Sequence, residues 1–218
     1  MADQETKTRI FRELHQADAA WIIPNPWDIG SAKLLQGMGF VALATTSSGF
    51  AFSRGRSDGE VSLDEKLDHC REICQATDIP VNADFEDGYS ANINTLCDNI
   101  HRLLETGIAG FSIEDFSREQ HTLMDMGEAV ERVRAAAETV ATYPVPVMLT
   151  ARAENLLRGV DDVDDTIARL QAFSKAGADV LYAPGVKSLE QLTAIPAEID
   201  KPFTVLEPFM PTATVAQF

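Results

Sequence analysis

Short apolar segments alternate with longer amphipathic segments along most of this chain. Each short segment is rich in Val, Ile, Leu and Ala and is bounded by polar or turn-forming residues. Runs of this length and composition are typical of buried β-strands. The pattern predicts seven strands, over residues 21–24, 41–46, 80–86, 110–115, 146–152, 180–183 and 202–206.

The amphipathic segments between these strands predict helices with recognisable ends. Residues 63–76 carry two acids in the first turn, and residues 163–176 are followed by a glycine, as helix starts and ends often are. Further helices are predicted over residues 95–105 and 127–140, and a short one ends near Met38.

Strands that alternate with helices indicate right-handed, parallel β-α-β units. Residues 105–115 and 175–184 both run from a helix end through a glycine into a buried strand. This repeated unit favours a (β/α)8 TIM-type barrel over a doubly wound sheet, and no GxGxxG or P-loop pattern follows the first strand. The sequence therefore predicts an α/β protein in which residues 1–218 form a single (β/α) barrel domain.

The predicted barrel is truncated at the C-terminus. A closed barrel needs eight strands and about 250 residues, whereas this sequence supplies seven strands and then a segment, 212–218, that resembles the start of a helix. The eighth strand and the C-terminal helices are therefore expected to be lacking. Because uncovered edge strands favour association, we expect a homo-oligomer.

Charge and composition narrow the class of protein further. The 218 residues include 34 acids and 18 bases, a net charge of −16, and no run of Lys or Arg forms a basic patch. Such a chain repels nucleic acids and anionic bilayers, and no apolar stretch approaches the roughly 18 residues of a membrane span. The N-terminus lacks the pattern of a secretory signal, and the three cysteines have no zinc spacing. We expect a cytoplasmic protein with reduced thiols and no nucleic-acid or membrane partner.

Charged residues occupy the carboxyl ends of three predicted strands. Side chains alternate along a strand, so the apolar set faces the helices and the other set faces the barrel interior. The residues that this rule turns inward are Asp84 and Glu86, Glu114, and Arg152 and Glu154. Because the carboxyl ends of barrel strands meet at one mouth, where active sites of this fold lie, we expect these five side chains to converge.

Carboxylates gathered at one place repel one another unless a cation is present. Mg²⁺ is the expected ion, with Mn²⁺ as the alternative, because the ligands are oxygens and no His or Cys competes for a softer metal. Arg152 would then bind the carboxylate of a small anionic substrate. Simpler interpretations remain: Asp84 and Glu86 as turn or cap residues, and Arg152 with Glu154 as a salt bridge. Asp28 is interpreted as a helix cap.

Six sequence blocks follow one another in a defined order between residue 11 and the end of the chain. They are NPWDIGSAKLL (25–35), ATTSSGFAFSRGRSDGE (44–60), ADFEDGYS (83–90), SIED (112–115), ARAE (151–154) and AGADVLYAPGV (176–186). Together they resemble the isocitrate lyase/phosphoenolpyruvate mutase superfamily. The resemblance is to its short-chain branch of 2-methylisocitrate-lyase-like and phosphonomutase-like proteins.

The resemblance implies a Mg²⁺-dependent barrel with a defined set of metal ligands. The aspartate that matches Asp84 contacts the ion, and the carboxylates that match Glu86 and Glu114 hold it, largely through water. The family usually has Asp where this chain has Glu86, so the charge is kept and the reach grows by one methylene.

The resemblance also implies how a substrate is bound. The backbone at Ser48 and Gly49 and the guanidinium of Arg152 would bind the 2-oxo-carboxylate end of a small carboxylate substrate, and Glu154 is a further substrate-binding residue. Asp58, in the loop after the second strand, would lie close to the reacting centre, so Asp58 and Arg152 are the candidate catalytic residues. The shared chemistry forms or consumes an enolpyruvate-like intermediate, whose negative charge Mg²⁺ and Arg152 stabilise.

One loop departs from the family pattern. The carbon–carbon lyases carry a cysteine-containing loop after the strand that matches residues 110–115, whereas residues 116–129 here read FSREQHTLMDMGEA. Arg118 and His121 lie in this loop and could substitute functionally for the cysteine, but we favour the interpretation that they belong to a solvated loop. The expected enzyme breaks or rearranges a C–C or C–P bond next to a small 2-oxo or 2-hydroxy carboxylate, with decarboxylation, hydrolysis or mutation favoured over isocitrate-type cleavage. The alternative is a catalytically depleted member that binds a metabolite or acts as a scaffold.

Overall fold

A computed structural model describes residues 2–209 and confirms the α/β barrel class. The helices in this range are α1 (Gln4–His15), α2 (Ile29–Gly37), α3 (Ser47–Ser53), α4 (Leu63–Ala76), α5 (Ile93–Leu104), α6 (Met126–Ala141), α7 (Val163–Ala176) and α8 (Leu189–Ala197). The strands are β1 (Leu43–Ala44), β2 (Val81–Asp84), β3 (Gly110–Glu114), β4 (Phe116–Ser117), β5 (Thr122–Leu123), β6 (Met148–Arg152), β7 (Val180–Tyr182) and β8 (Phe203–Thr204).

Six strands form one parallel sheet that curls into a half-barrel. Their order is β1-β2-β3-β6-β7-β8, and β4 and β5 form a separate antiparallel hairpin. The register pairs Glu114 of β3 with Arg152 of β6, and Arg152 in turn with Tyr182 of β7. Side chains at the carboxyl ends of neighbouring strands are therefore brought side by side.

The strands alternate as the sequence predicts. Val81, Ala83 and Phe85 are fully buried in the core that the sheet forms with its helices, and so are Phe111 and Leu149 on the next strands of the sheet. The opposite set of side chains, turned to the inside of the half-barrel, carries the polar and charged groups. This alternation makes one face of each strand structural and frees the other face for chemistry.

The amino ends of the strands are closed by α1, a helix outside the predicted set. Phe11 of α1 packs with Ala42, Ala109, Met148 and Val180, each at or just before the start of a strand. A Cβ at position 110 would lie 2.7 Å from Phe11 Cε1, so only a glycine leaves room for this ring. We call this apolar end of the half-barrel the floor, and the carboxyl ends of the strands the mouth.

The structure corrects one predicted strand and supplies elements that the pattern missed. Residues 21–24 form no strand, since Pro24 lacks an N–H and the segment contributes one backbone bond to β1, from Ala44 N to Pro24 O at 3.0 Å. The short helix α3, helix α8 and the β4–β5 hairpin were also not predicted. The predicted helix start at residues 212–218 lies outside the described residues.

Other predictions are confirmed closely. Helices α4 and α7 have the predicted bounds, and Asp28 caps α2 through a reciprocal bond pair with Ser31. Cys70 and Cys74 are buried free thiols. None of the helices among residues 2–209 combines the length and the apolarity that crossing a membrane requires.

Candidate active site at the mouth of the half-barrel

Asp84, the last residue of β2, is fixed by the start of α3. Its Oδ2 accepts hydrogen bonds from the backbone N–H and the hydroxyl of Ser47, both at 2.8 Å. Its Oδ1 is buried and accepts no hydrogen bond from residues 2–209. Although burial alone would raise the pKa of Asp84, nearby Arg152 and Lys66 and the bonds from Ser47 hold it below its usual value.

The first turn of α3 contains the predicted backbone site at Ser48 and Gly49. The side chain of Thr46 caps this helix: its Oγ1 accepts from Gly49 N at 3.2 Å and bonds the Ser48 hydroxyl at 3.1 Å. A Cβ at position 49 would lie 2.4 Å from the Trp27 indole nitrogen, so glycine is required there. The structure thus places both residues next to Asp84 and engages the Gly49 amide with Thr46.

Arg152, the last residue of β6, lies at the centre of the mouth. Its guanidinium pairs closely with Glu154, lies 3.6 Å from both Glu114 Oε2 and Asp84 Oδ1, and faces the ring of Tyr182 at 5.0 Å. Burial alone would lower the pKa of Arg152, but the surrounding carboxylates raise it well above its usual value. The salt bridge between Arg152 and Glu154 is therefore present, as one of the simpler interpretations predicts. The same guanidinium also lies close to the carboxylates at the ends of β2 and β3.

Glu114 and Glu154 are almost completely buried beside this arginine. Burial raises the pKa of Glu114 well above its usual value, and Arg152 opposes that rise. A second arginine, Arg158, approaches Glu154 Oε2 to 2.9 Å and Glu114 Oε1 to 3.7 Å, and its guanidinium lies over the ring of Phe116. Two arginines therefore compensate two buried carboxylates.

The backbone of Glu154 is held in place by Asp115. Asp115 Oδ1 accepts a hydrogen bond from Glu154 N at 2.8 Å, while Oδ2 pairs with Arg169 at 2.9 Å. Burial raises the pKa of Asp115 to about 6 in spite of these partners. The second acid of the Glu114–Asp115 pair therefore positions a neighbour and faces away from Arg152.

Glu86 sits beyond the end of β2 in left-handed backbone conformation, with φ of 50°. Its Oε1 accepts from the Tyr89 hydroxyl at 2.6 Å, and its Oε2 forms an ion pair with Arg118 at 2.7 Å. Burial raises the pKa of Glu86 to about 7, against the effects of Arg118 and Tyr89. Glu86 is thus directed towards the β4–β5 hairpin.

The prediction that Arg118 belongs to a solvated loop is wrong. Its side chain is 19% exposed, pairs with Glu86 and stacks on Tyr89 at 4.1 Å. The guanidinium also donates to the carbonyl oxygens of Gly59 and Val61 at 2.6 and 3.0 Å. The hairpin that β4 and β5 form is what carries this arginine inward, and a sequence pattern for such a short hairpin is weak.

Asp58 lies outside the buried cluster, on the exposed loop between α3 and α4. Its neighbour Gly59 is the carbonyl partner of Arg118, which in turn binds Glu86. The loop that carries Asp58 is therefore connected to the mouth through one arginine.

Lys66 is a further cation that the sequence analysis did not single out. It lies in α4, is fully buried, and donates from Nζ to Thr45 Oγ1 at 3.0 Å. On the sequence it resembles a surface lysine of an amphipathic helix, since both neighbours in the chain are ordinary helix residues. A lysine on the apolar stripe, one position before Leu67 and four before Cys70, is the signal that would have found it.

The oxygen donors at the mouth fit a hard cation such as Mg²⁺. Among the described residues no group of three or more His, Cys, Asp or Glu side chains has an arrangement that could hold a metal ion. Mg²⁺ is usually bound by one or two carboxylates and keeps several waters. The buried Oδ1 of Asp84, which accepts no hydrogen bond among residues 2–209, is suited to such a contact. Glu114 and Glu86 are engaged by Arg152, Arg158 and Arg118.

The chain is similar to known proteins over nearly its whole length. The family model described as phosphoenolpyruvate phosphomutase matches residues 11–218. An uncharacterised protein of Mycobacterium tuberculosis strain H37Rv is 30% identical over 209 residues, which cover 94% of this chain and 76% of that protein. Oxaloacetate decarboxylase 2 of Pseudomonas fluorescens strain Pf0-1 is 26% identical, over 91% of this chain and 69% of its own.

Solved structures with a similar fold come from the same group of enzymes. A candidate lyase/mutase from Burkholderia cenocepacia J2315 is 41% identical with a TM-score of 0.94, over 98% of this chain and 78% of that one. Oxaloacetate acetylhydrolase in complex with its product oxalate is 25% identical with a TM-score of 0.89, over 99% and 78% of the two chains. The relatives with a stated activity include lyases, decarboxylases, hydrolases and mutases. The chain belongs to the phosphoenolpyruvate mutase family, within the isocitrate lyase/phosphoenolpyruvate mutase superfamily.

Proposed function

We propose that this protein is a Mg²⁺-dependent enzyme that breaks or rearranges the bond next to the carbonyl of a small 2-oxo or 2-hydroxy carboxylate. The observation that carries the proposal is the Arg152 guanidinium, which lies at the mouth with its side chain 14% exposed and is 3.6 Å from both Asp84 and Glu114. A fixed cation among oxygen donors is the arrangement that binding a metal and a carboxylate together requires.

Arg152 has the central role in this proposal. Its planar guanidinium can donate two parallel hydrogen bonds to a substrate carboxylate, and Glu154 holds it in that orientation. The same charge stabilises the enolate that forms when the neighbouring bond breaks. Asp84 would hold the ion with Glu114 and Glu86, and the bound ion would supply Lewis-acid stabilisation of the same oxygen.

Ser48, Gly49 and Asp58 complete the proposed site. The first two lie on α3 beside Asp84, where they would face the carboxylate end of the substrate. Asp58 is included because Arg118 connects its loop to Glu86. We propose that this loop brings Asp58 to the reacting centre when substrate is bound.

Among reactions of this class we favour decarboxylation or hydrolysis of a C–C bond. Residues 116–129 contain no cysteine to act as the acid or base of an isocitrate-type lyase. The relatives include oxaloacetate decarboxylases, and an oxaloacetate acetylhydrolase has the same fold. Rearrangement of a C–P bond is the remaining reaction of the proposed class.

The test is calorimetric titration with oxalate, a planar mimic of the pyruvate enolate, with and without Mg²⁺. We expect binding that needs both the ion and Arg152, so Arg152→Ala should lose it. Arg12→Ala is the matched control, because Arg12 pairs with Asp179 at the opposite end of the sheet. This variant should bind oxalate as the wild type does. Oxalate binding that survives in Arg152→Ala would contradict the proposal. Turnover is then sought across 2-oxo acids, malate derivatives and phosphonates.

Oligomer formation is a second part of the proposal. Strands β1 and β8 lie at the two edges of the sheet formed by residues 2–209. Since exposed edges favour pairing or coverage by another chain, we propose a homo-oligomer. Light scattering of the purified protein would measure its mass directly, and a monomer at all concentrations would contradict this proposal.

A further inference from the structure

The buried lysine of α4 is unusual in its lack of partners. Lys66 is 0% exposed, and its ammonium makes one hydrogen bond within residues 2–209, to the hydroxyl of Thr45. A lysine ammonium has three donors, and a charge taken out of water needs compensation by opposite charge. One neutral hydroxyl does not provide that compensation, so it must come from charges farther away.

Thr45 connects this lysine to the mouth. Thr45 Oγ1 accepts from Lys66 Nζ and also from the backbone N–H of Asp84, both at 3.0 Å. Thr45 N donates to Asn82 O at 2.8 Å, which fixes the residue between β1 and β2. Lys66 therefore lies one hydroxyl away from the backbone of the residue whose carboxylate is the candidate metal ligand.

Lys66 also brings the charges at the mouth to balance when its carboxylates are ionised. Four ionised carboxylates carry four negative charges there, and the three arginines that pair with them leave one negative charge uncompensated. Lys66 supplies the fourth positive charge. The carboxylates are those of Asp84, Glu86, Glu114 and Glu154, and the arginines are Arg118, Arg152 and Arg158.

We propose that Lys66 is a positioning residue that sets the charge of the active site, so that the metal ion and a dianionic ligand are taken up together. A cluster with no net charge gives little attraction to a divalent cation alone or to an anion alone. The two together add no net charge, and each then stabilises the other. The inference rests on the proposed function and adds to it a residue outside the predicted site.

Lys7 of α1, which contacts the opposite end of α4, provides a matched comparison. It is also buried, at 3% exposure, but its Nζ donates to the carbonyl oxygens of Cys74 and Thr77, at 2.8 and 2.6 Å. These carbonyls lie at the C-terminal end of α4, where a cation is stabilised by the helix dipole. Lys7 therefore carries a buried ammonium group, as Lys66 does, but lies far from the mouth and has a structural role.

The experiment compares wild type, Lys66→Met and Lys7→Met by calorimetry, with Mg²⁺ alone and with oxalate at saturating Mg²⁺. In Lys66→Met the site gains one net negative charge. We therefore expect tighter binding of Mg²⁺ alone and about tenfold weaker binding of oxalate, the effect of one charge acting through the protein interior. Lys7→Met should unfold at a lower temperature and keep both dissociation constants of the wild type.

Opposite shifts of the two dissociation constants are the signature of charge balance. If Lys66 only supports packing, both constants weaken together or neither changes, and either result overturns the inference. Lys66→Gln keeps a hydrogen-bond donor for Thr45, and it replaces Lys66→Met in the same titrations if that variant fails to fold. Absence of oxalate binding by the wild type would overturn the proposed function and this inference with it. Normal wild-type binding with unchanged Lys66 variants would overturn the inference alone.

Discussion

At the floor of the half-barrel Phe11 fills the space between strand starts with apolar contacts, whereas at the mouth Arg152 faces Asp84 and Glu114 across 3.6 Å. Both ends exclude water from the same sheet. The floor does so by packing, which stabilises the fold directly. The mouth buries charges whose pairing roughly offsets the cost of desolvating them. Stability and chemistry are thus assigned to opposite ends of the strands.

The largest expected effect comes from Asp84→Asn at the mouth. The amide keeps an acceptor for Ser47 but removes the negative charge, so we expect metal-dependent turnover to fall by about 10³-fold. The free energy of unfolding should change by less than about 1 kcal/mol. Steady-state kinetics and urea denaturation measure the two quantities. A large loss of stability with normal turnover per folded molecule would reverse the assignment of roles to the two ends.

At the floor, Phe11→Ala is the counterpart. Removing a fully buried ring leaves a cavity among Ala109, Met148 and Val180, at a cost of about 3–5 kcal/mol in the free energy of unfolding. Oxalate affinity of the folded protein should stay as in the wild type. Urea denaturation and calorimetry on the same sample test this. Loss of oxalate binding without loss of stability would show that the floor also shapes the site.

A smaller effect should come from His69, which packs beside the mouth on Phe50 with ring centroids 3.8 Å apart. Burial lowers the pKa of His69 to about 3, and its Nδ1 is buried without a hydrogen-bond partner. Between pH 6.5 and about 3 the unfolded chain binds a proton that the folded chain does not. The free energy of unfolding should therefore decrease as the pH is lowered from 6.5 to about 3, by up to ~1.4 kcal/mol per pH unit.

The variant His69→Gln isolates this contribution from the carboxylates that titrate in the same range. It should be less sensitive to acid than the wild type, with the difference vanishing above about pH 6.5, where both states of the wild type are neutral at this position. Denaturation curves at several pH values measure it. Parallel pH dependence of the two proteins would mean that His69 is protonated in the folded state.

The smallest effect is expected on the outer face of the floor helix. Arg9 and Glu13 form an exposed pair at 2.7 Å, one turn apart on α1. Arg9→Ala should change the free energy of unfolding by no more than about 0.5 kcal/mol, because solvent screens such pairs. Thermal denaturation at low and high salt checks it. A change near that of Phe11→Ala would mean that docking of α1 depends on this pair.

The sequence predicts best where local rules are sufficient. Helix α4 is predicted to the residue from the two acids of its first turn, Asp64 and Glu65, and the structure adds a reciprocal capping pair between Ser62 and Glu65. The strand alternation correctly separates helix-facing Phe85 from Asp84, and the structure brings Asp84, Glu114, Arg152 and Glu154 together. The helix ends and the strand alternation depend on residues close together in the chain, and the convergence follows from the parallel order of β2, β3 and β6.

The remaining parts of the site depend on contacts between distant segments. Arg118 reaches Glu86 only because a short hairpin folds back over the mouth, and Lys66 is buried only because α4 packs over β1 and β2. Neither contact leaves a periodic pattern in the sequence. Residues 21–24 show the converse error, in which an apolar run resembles a strand but Pro24 prevents a full ladder.

The closure of the floor by α1 also has a consequence for the order of folding. Phe11 is made early in synthesis, yet its partner Val180 follows about 170 residues later. At ordinary elongation rates this corresponds to a wait of roughly 10 to 30 s. Part of the apolar face of α1 therefore stays uncovered during synthesis, and the docking of this helix is completed only once β7 has been made. Chaperone recognition of the nascent chain should be concentrated on α1, and completion of β7 should release it.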